Sequence, residues 1–180
     1  MGLLHRLKIY LANRNFETKR KYLIKQGCKI GEGTRFISDV SIGGTEPYLI
    51  TVGKDCLISS NVNLFTHDGG VKVLNSLSYF KQRHDKIGPI TIGDNCFIGH
   101  GAIILPNVTI GSNVIIGAGS IVCKDLPSNA VYAGVPAKKI CSIEEYYQKN
   151  TTSFFPTATL SHNQKKSLLE KEFSKETNQS

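Results

Sequence analysis

Residues 92–122 read IGDNCF IGHGAI ILPNVT IGSNVI IGAGSI V, and the spacing inside this stretch decides the fold. An aliphatic residue returns every six positions, at Ile92, Ile98, Ile104, Ile110, Ile116 and Val122. Four positions after each lead comes a small or β-branched residue: Cys96, Ala102, Val108, Val114 and Ser120. Gly follows the lead aliphatic in four of the five complete units. A period of six fits neither the 3.6 of a helix nor the two of a plain strand. It is the signature of a hexapeptide β-helix. Each unit supplies one short strand and one turn, and three units close a triangular coil of about 18 residues per rung. Lead aliphatics are expected to point inward and stack, with the fifth position filling a corner. Gly, Asp and Asn, as in GDN and GSN, suit the turns because they tolerate positive φ. No rung buries its apolar face alone, so the core exists only as a stack.

Outward from this stretch the rhythm weakens and then fails. Towards the N-terminus it is carried by Ile30-Gly31, Phe36 and Ile42-Gly43, is put out of phase by GTEPY, and resumes at Val52-Gly53, Ile58 and Leu64. It stops at Thr66-His67-Asp68-Gly69-Gly70 and restarts at Ile90. Residues 68–89 therefore form an insertion without hexads, carrying Lys81, Arg83, His84 and Asp85. An irregular segment of that length in a solenoid marks a functional loop. Beyond Val122, Pro127, Gly134 and Pro136 predict an irregular last rung, IEEYYQK a short helix, and KKSLLEKEFSKE another. The chain thus divides into a basic helical segment (1–29), a β-helix domain (30–140) with its loop (68–89), and a C-terminal helix with a polar tail (141–180).

Charge and cysteines narrow the function classes. The net charge of +8 is concentrated at the N-terminus, where residues 1–29 hold eight Lys/Arg against one Glu. No basic stripe with interleaved aromatics runs through the body, which argues against nucleic acid. No run of 18 apolar residues offers a membrane-spanning helix, and the N-terminus lacks the apolar core of a secretory signal. Five cysteines without a CxxC pair fit a reducing cytoplasm, with Cys56 and Cys96 as corner filler. Leu3, Leu4, Leu7 and Leu11 share helical spacing with Lys8 and Arg14 off the stripe. That segment reads either as a cap on the coil end or as a basic amphipathic helix through which residues 1–15 touch an anionic membrane, peripheral to its inner face.

His67 is the leading candidate for chemistry. It stands at the mouth of the insertion, beside Asp68 and two glycines that allow close backbone approach. A neutral imidazole there can take a proton from a hydroxyl or amine, and backbone N–H groups can receive an oxyanion. His100 lies on a turn inside IGHGAI, where it can meet a ligand or only solvent; His84 lies within the loop.

These residues carry a resemblance. GPITIGDNCFIGHGAIILPNVTIGSNVIIGAGSIVCKDLPSNAVYAGVPAKKI is similar to the C-terminal half of the maltose and galactoside O-acetyltransferases. EPYLITVG and ISSNVNLFTHDGGVKVL resemble the O-acetyltransferases of capsule and lipopolysaccharide biosynthesis. The likeness covers residues 30–146. It implies a left-handed parallel β-helix, an exception to the right-handed crossover rule, assembled as a homotrimer with active sites between neighbours. It implies acetyl-CoA as acyl donor, no metal, and a sugar hydroxyl as acceptor. His67 would be the general base for direct attack on the thioester. His100, Ala118, Cys123 and Lys124 would line the pantetheine groove, with Lys138, assisted by Lys139, on the nucleotide phosphates. Glu46, Tyr48, Asp68 and Asp85 would contact the acceptor. Two positions depart from the pattern: Cys141, where sugar acetyltransferases often carry a second basic residue, and Lys72, where polysaccharide enzymes often carry Trp. Rival readings are an antibiotic or other small-molecule acetyltransferase, an amino-sugar N-acyltransferase, a γ-type carbonic anhydrase and a non-catalytic β-helix module. The carbonic anhydrase reading needs three histidines on zinc, and Leu105 stands where the second is required.

Overall fold

A computed structural model describes residues 16–37 and 40–177. The expected helix over residues 1–15 lies outside the described residues. The described chain opens with helix α1 (residues 16–25), then winds through three parallel sheets in turn. Strands β1 (Lys29–Ile30), β2 (Arg35–Phe36) and β3 (Ser41–Gly43) make the first rung; β4 (Ile50–Val52), β5 (Leu57–Ile58) and β6 (Asn63–Phe65) the second. The insertion follows, with a short helix α2 (Val71–Ser76). Strands β7 (Ile90–Ile92), β8 (Phe97–Ile98) and β9 (Ile103–Ile104) make the third rung; β10 (Val108–Ile110), β11 (Val114–Ile116) and β12 (Ile121–Val122) the fourth. The three faces are β1-β4-β7-β10, β2-β5-β8-β11 and β3-β6-β9-β12.

Register shows why six residues repeat. On the first face Ile30, Val52, Ile92 and Ile110 lie over one another. On the second, Phe36, Ile58, Ile98 and Ile116 do so; on the third, Ile42, Leu64, Ile104 and Val122. Leads of the third and fourth rungs are at most 1% exposed. Rung partners are 18 positions apart above the insertion (Ile92 and Ile110) and 40 apart across it (Val52 and Ile92), so the loop leaves the register of the coil intact. Gly after the lead is a packing requirement: a Cβ on Gly99 would lie 2.6 Å from both Ala118 N and Ile116 O of the next rung.

The edge between the first and second faces holds a polar ladder outside and a thiol ladder inside. Asn95 and Asn113 adopt φ of 53° and 56°, as the GDN and GSN turns require. Asn95 donates to Asn113 (2.9 Å), which donates to Asn129 (2.8 Å). Behind them the buried Cys56 and Cys96 thiols donate to the carbonyls of Gly93 and Gly111, each at 3.1 Å. No buried side-chain polar atom among the described residues lacks a partner.

The end of the coil is more ordered than an irregular rung. Leu126 bridges back to Ile110, β13 (Ala130–Ala133) extends the second face, and β14 (Lys138–Ser142) returns antiparallel to it. Tyr132 completes the inner row above Ile116. An antiparallel strand cannot continue the coil, so β14 stops it and blunts the edge. Helix α3 (Ile143–Lys149) starts from a capping box between Ser142 and Glu145. Helix α4 (His162–Thr177) ends the described chain. No helix of the described residues is long and apolar enough to cross a membrane.

The stacked rows predict where the stability resides. Ile98→Ala, at a fully buried position between Ile58 and Ile116, is expected to destabilise the fold by about 2–5 kcal/mol. Thermal denaturation reads this as a lowered Tm; an unchanged Tm would contradict the stacked core.

Candidate functional site

The coil has three long edges, and the expected site residues occupy two of them. The edge between the third and first faces begins below with Gly44 and Glu46, continues with Thr66 and His67 after β6, and ends with Cys123 and Lys124 after β12. Spacing of about 4.8 Å per rung puts His67 roughly 10 Å below Cys123 along this rail. The edge between the second and third faces carries His100 and Ala118 in successive rungs, where Gly119 N donates to His100 O at 2.8 Å. The segment before Lys138 joins that edge, because Ala137 N donates to Ile121 O at 2.8 Å. His100, Ala118, Cys123, Lys124, Lys138 and Lys139 are all exposed. The third face lies between the two edges, roughly 13 Å for four residues of extended chain. Within one chain, His67 is therefore grouped with Cys123 and Lys124, and parted from His100, Ala118 and Lys138.

The insertion leaves this edge through a closed stem. His67 and Ile87 form an antiparallel bridge. Asp68 N donates to Lys86 O (2.8 Å) and Gly88 N to Thr66 O (2.9 Å). Lys86 Nζ reaches Asp68 Oδ2 at 2.6 Å, and Gly70 N donates to Asp68 Oδ1 at 2.9 Å. Those contacts, the Lys86 bond first, hold the Asp68 carboxyl below its usual range. Further out, Asn75 Nδ2 donates to His84 O (2.7 Å) and His84 N to Asn75 Oδ1 (2.9 Å), while the His84 ring stacks on Phe80. The loop is thus fixed internally at its base and middle. Asp85 is exposed on its return limb.

Beneath His67 lies a compact polar cluster. Glu46 is 6% exposed. Its carboxylate accepts from Thr45 Oγ1 (2.5 Å), Thr45 N (3.1 Å) and Thr66 Oγ1 (3.1 Å). Thr45, then Thr66, keep that carboxyl below the ordinary glutamate range, and a charge on His67 acts in the same sense. Gly44, at φ 130°, makes the approach possible: a Cβ there would meet Thr66 Oγ1 at 2.5 Å, Glu46 Oε2 at 2.8 Å and His67 Cβ at 3.3 Å. Glu46 from below and Asp68 from the next position in the chain therefore bring two carboxylates to the half-buried His67.

Of the expected acceptor contacts, Glu46 and Asp68 are brought to His67, but their oxygens already serve Thr45, Thr66 and Lys86. Tyr48 is 59% exposed and packs over Gly27, at the turn after α1. The sequence assigned no site role to Gly44, Thr66 or Lys86; the Gly43-Gly44 doublet was the available signal for a close approach. Cys141 is buried in β14, so its side chain offers nothing to a phosphate. No cluster of three or more His, Cys, Asp or Glu suited to a metal occurs among the described residues.

The Glu46 cluster has a pH signature. A carboxyl depressed on folding contributes stability that is present above its unfolded pKa and lost as pH falls through the folded value. Glu46 is thus expected to add to acid sensitivity below the ordinary glutamate range, and Glu46→Gln to flatten that limb of a Tm-against-pH curve. An unaltered limb would contradict the cluster's ionised state.

Known proteins place the chain. The family model described as bacterial transferase hexapeptide (six repeats) matches residues 89–124. Protein CapG of Staphylococcus aureus is 45% identical over 172 residues, 93% of this chain and 95% of that protein. Galactoside O-acetyltransferase of Escherichia coli (strain K12) is 40% identical over 128 residues, 69% of this chain and 61% of that enzyme. A hexapeptide-repeat acetyltransferase of Vibrio cholerae O1 biovar eltor, crystallised with acetyl coenzyme A, superposes with a TM-score of 0.56 at 26% identity. That match covers 64% of this chain and 60% of the Vibrio chain. Six-residue units stacked on three faces, with identity to CapG sustained over nearly its full length, establish that the chain belongs to the hexapeptide-repeat acyltransferase family, whose coil is left-handed.

Proposed function

We propose that this protein transfers an acetyl group from acetyl-CoA to a sugar hydroxyl in the assembly of a bacterial surface polysaccharide, with His67 as general base. The observation that carries the reading is the division of the site residues between two edges of one coil. His67, Cys123 and Lys124 line one edge; His100, Ala118 and Lys138 line another. Neither edge alone holds both a base and the full groove. Setting the first edge of one copy against the second edge of a neighbour completes a site. Each copy offers both edges, so the contact is head-to-tail; the closed form proposed is a homotrimer with its third faces towards the axis. The acetyl-CoA bound by the Vibrio relative supports the donor, and the galactoside enzyme supports a saccharide acceptor.

In this reading the pantetheine runs along the groove between Ala118 and His100 of one subunit and Cys123 and Lys124 of the next. Lys138 and Lys139, exposed at the head of the coil, meet the nucleotide phosphates as flexible point charges. An acceptor hydroxyl gives its proton to the His67 imidazole while its oxygen attacks the thioester carbonyl carbon. The Glu46 and Asp68 clusters fix the backbone on either side of the His67 ring during this step. Backbone N–H groups receive the oxyanion. Collapse breaks the C–S bond, and the proton passes from His67 to the departing thiolate, giving the acetyl ester and free coenzyme A. The domain division follows from this: residues 30–140 form the catalytic coil, while 1–29 and 141–180 flank it.

Removing the base is expected to lower kcat by about 10²–10⁴-fold in His67→Ala, followed as coenzyme A release. The split site gives a stronger test. His67→Ala and Ala118→Trp chains, each inactive alone, are unfolded and refolded together. Mixed rings then contain sites with both edges intact, and activity returns. A mixture no more active than its components contradicts a shared site, and near-normal turnover in His67→Ala contradicts the base.

A further inference from the structure

A cavity of about 500 Å³ lies at the lower end of the coil, between α1 and the first rung. Lys19, Tyr22, Leu23 and Gln26 form its helical wall; Ser41, Ile42, Gly44 and Thr45 are among those opposite. Its size falls within the roughly 300–1,000 Å³ of small-molecule sites. Gly44 connects it to the chemistry, since this residue lines the cavity and backs directly onto Thr66, Glu46 and His67. The groove proposed for coenzyme A runs the other way, towards the fourth rung. A ligand in the cavity therefore approaches His67 from the side opposite the donor.

The lining indicates what would fit. Tyr22 is 56% exposed and presents a ring to the space. An aromatic face with a polar tip suits the C–H face and hydroxyl rim of a pyranose. Gln26, Ser41 and Thr45 add short polar groups at the rim. Lys19 adds a charge with no salt bridge among the described residues. Its neighbour Arg20 is spent differently, pairing with Glu17 and donating to the carbonyls of Ile30 and Gly31. None of the described residues that line the cavity is acidic.

We infer that this cavity is an acceptor subsite for an anionic glycosyl group, with the sugar against Tyr22 and the negative charge on Lys19. The charge is a phosphate ester on the sugar or a sugar carboxylate. The inference rests on reading His67 as the transfer centre, and it assigns the non-reacting part of the acceptor to α1. Neither Lys19 nor Tyr22 takes part in the chemistry.

The test uses the full chain carrying His67→Ala, so that binding is read without turnover. Glucose, galactose and N-acetylglucosamine, their 1-phosphates, glucuronic and galacturonic acids, and inorganic phosphate are titrated by calorimetry. At least one charged sugar is expected to bind about tenfold tighter than its neutral parent and tighter than inorganic phosphate. The phosphate and uronate arms identify the anion. Lys19→Met and Tyr22→Ser should each weaken that binding about tenfold, leaving coenzyme A affinity unchanged. Equal affinity for charged and neutral sugars, indifference to both substitutions, or no binding at 10 mM by any probe would overturn the subsite. Acetyl transfer by the chain with native His67 separates the two readings. Transfer whose acceptor KM ignores Lys19 and Tyr22 removes the subsite alone. Lys19-dependent binding without transfer to any bound sugar removes the catalytic reading alone.

Discussion

Everything in this molecule depends on aliphatic side chains stacking in register along three inner rows. A rung of the coil buries almost nothing by itself. Placed on another rung, each lead residue loses its contact with water, at about 1.5–3 kcal/mol per buried Ile or Leu. Stacking also fixes the geometry outside. Because Ile92 lies on Ile110, Ile98 on Ile116 and Ile104 on Val122, the turns between them are forced into straight rails at the rung spacing. A rail of exposed turn residues is a rigid surface along which an extended ligand can lie. The rigidity comes from the core, and the chemistry is carried by what the turns expose.

The insertion exploits that rigidity. Residues 68–89 leave the coil between β6 and β7 without shifting the register above and below. Their exit is clamped by the His67–Ile87 bridge and the Lys86–Asp68 pair. His67 is consequently held at a fixed height on its edge, on a strand terminus rather than on a free loop tip. Below it, the four-residue phase slip around GTEPY has a comparable role. It carries Glu46 under the imidazole, with Gly44 leaving the room that any side chain would fill. Both irregularities occur on the same edge, and between them they build the polar cluster around His67.

Hexad positions could be read directly, because the inward lead and the close-packed second position constrain residue type strongly: Ile98 admits only an apolar residue, Gly99 only a glycine. The segments IEEYYQK and KKSLLEKEFSKE, expected to be short helices, lie in α3 and in the longer α4. The antiparallel return of Lys138–Ser142 was not legible, since its side chains lack the alternation of a half-buried strand. The engagement of Asp68 by Lys86 was also hidden, because it joins the two limbs of a loop 18 positions apart. Glu46 entered as an acceptor contact only through the family resemblance. Its burial beneath Thr45 and Thr66 depends on a rung-to-rung contact that no local pattern encodes. The grouping of the six donor-side residues on two separate edges follows from the coil's geometry and emerges only in three dimensions.

The central claim is that one catalytic site is assembled from unlike edges of two subunits around a base at the interruption of the coil. A crystal structure of the His67→Ala chain grown with acetyl-CoA tests it most directly. The account predicts pantetheine lying between subunits, against Ala118 of one and Cys123 of its neighbour, with the thioester carbonyl beside the neighbour's residue 67. Coenzyme A held wholly within one chain, or a thioester remote from position 67, would contradict it.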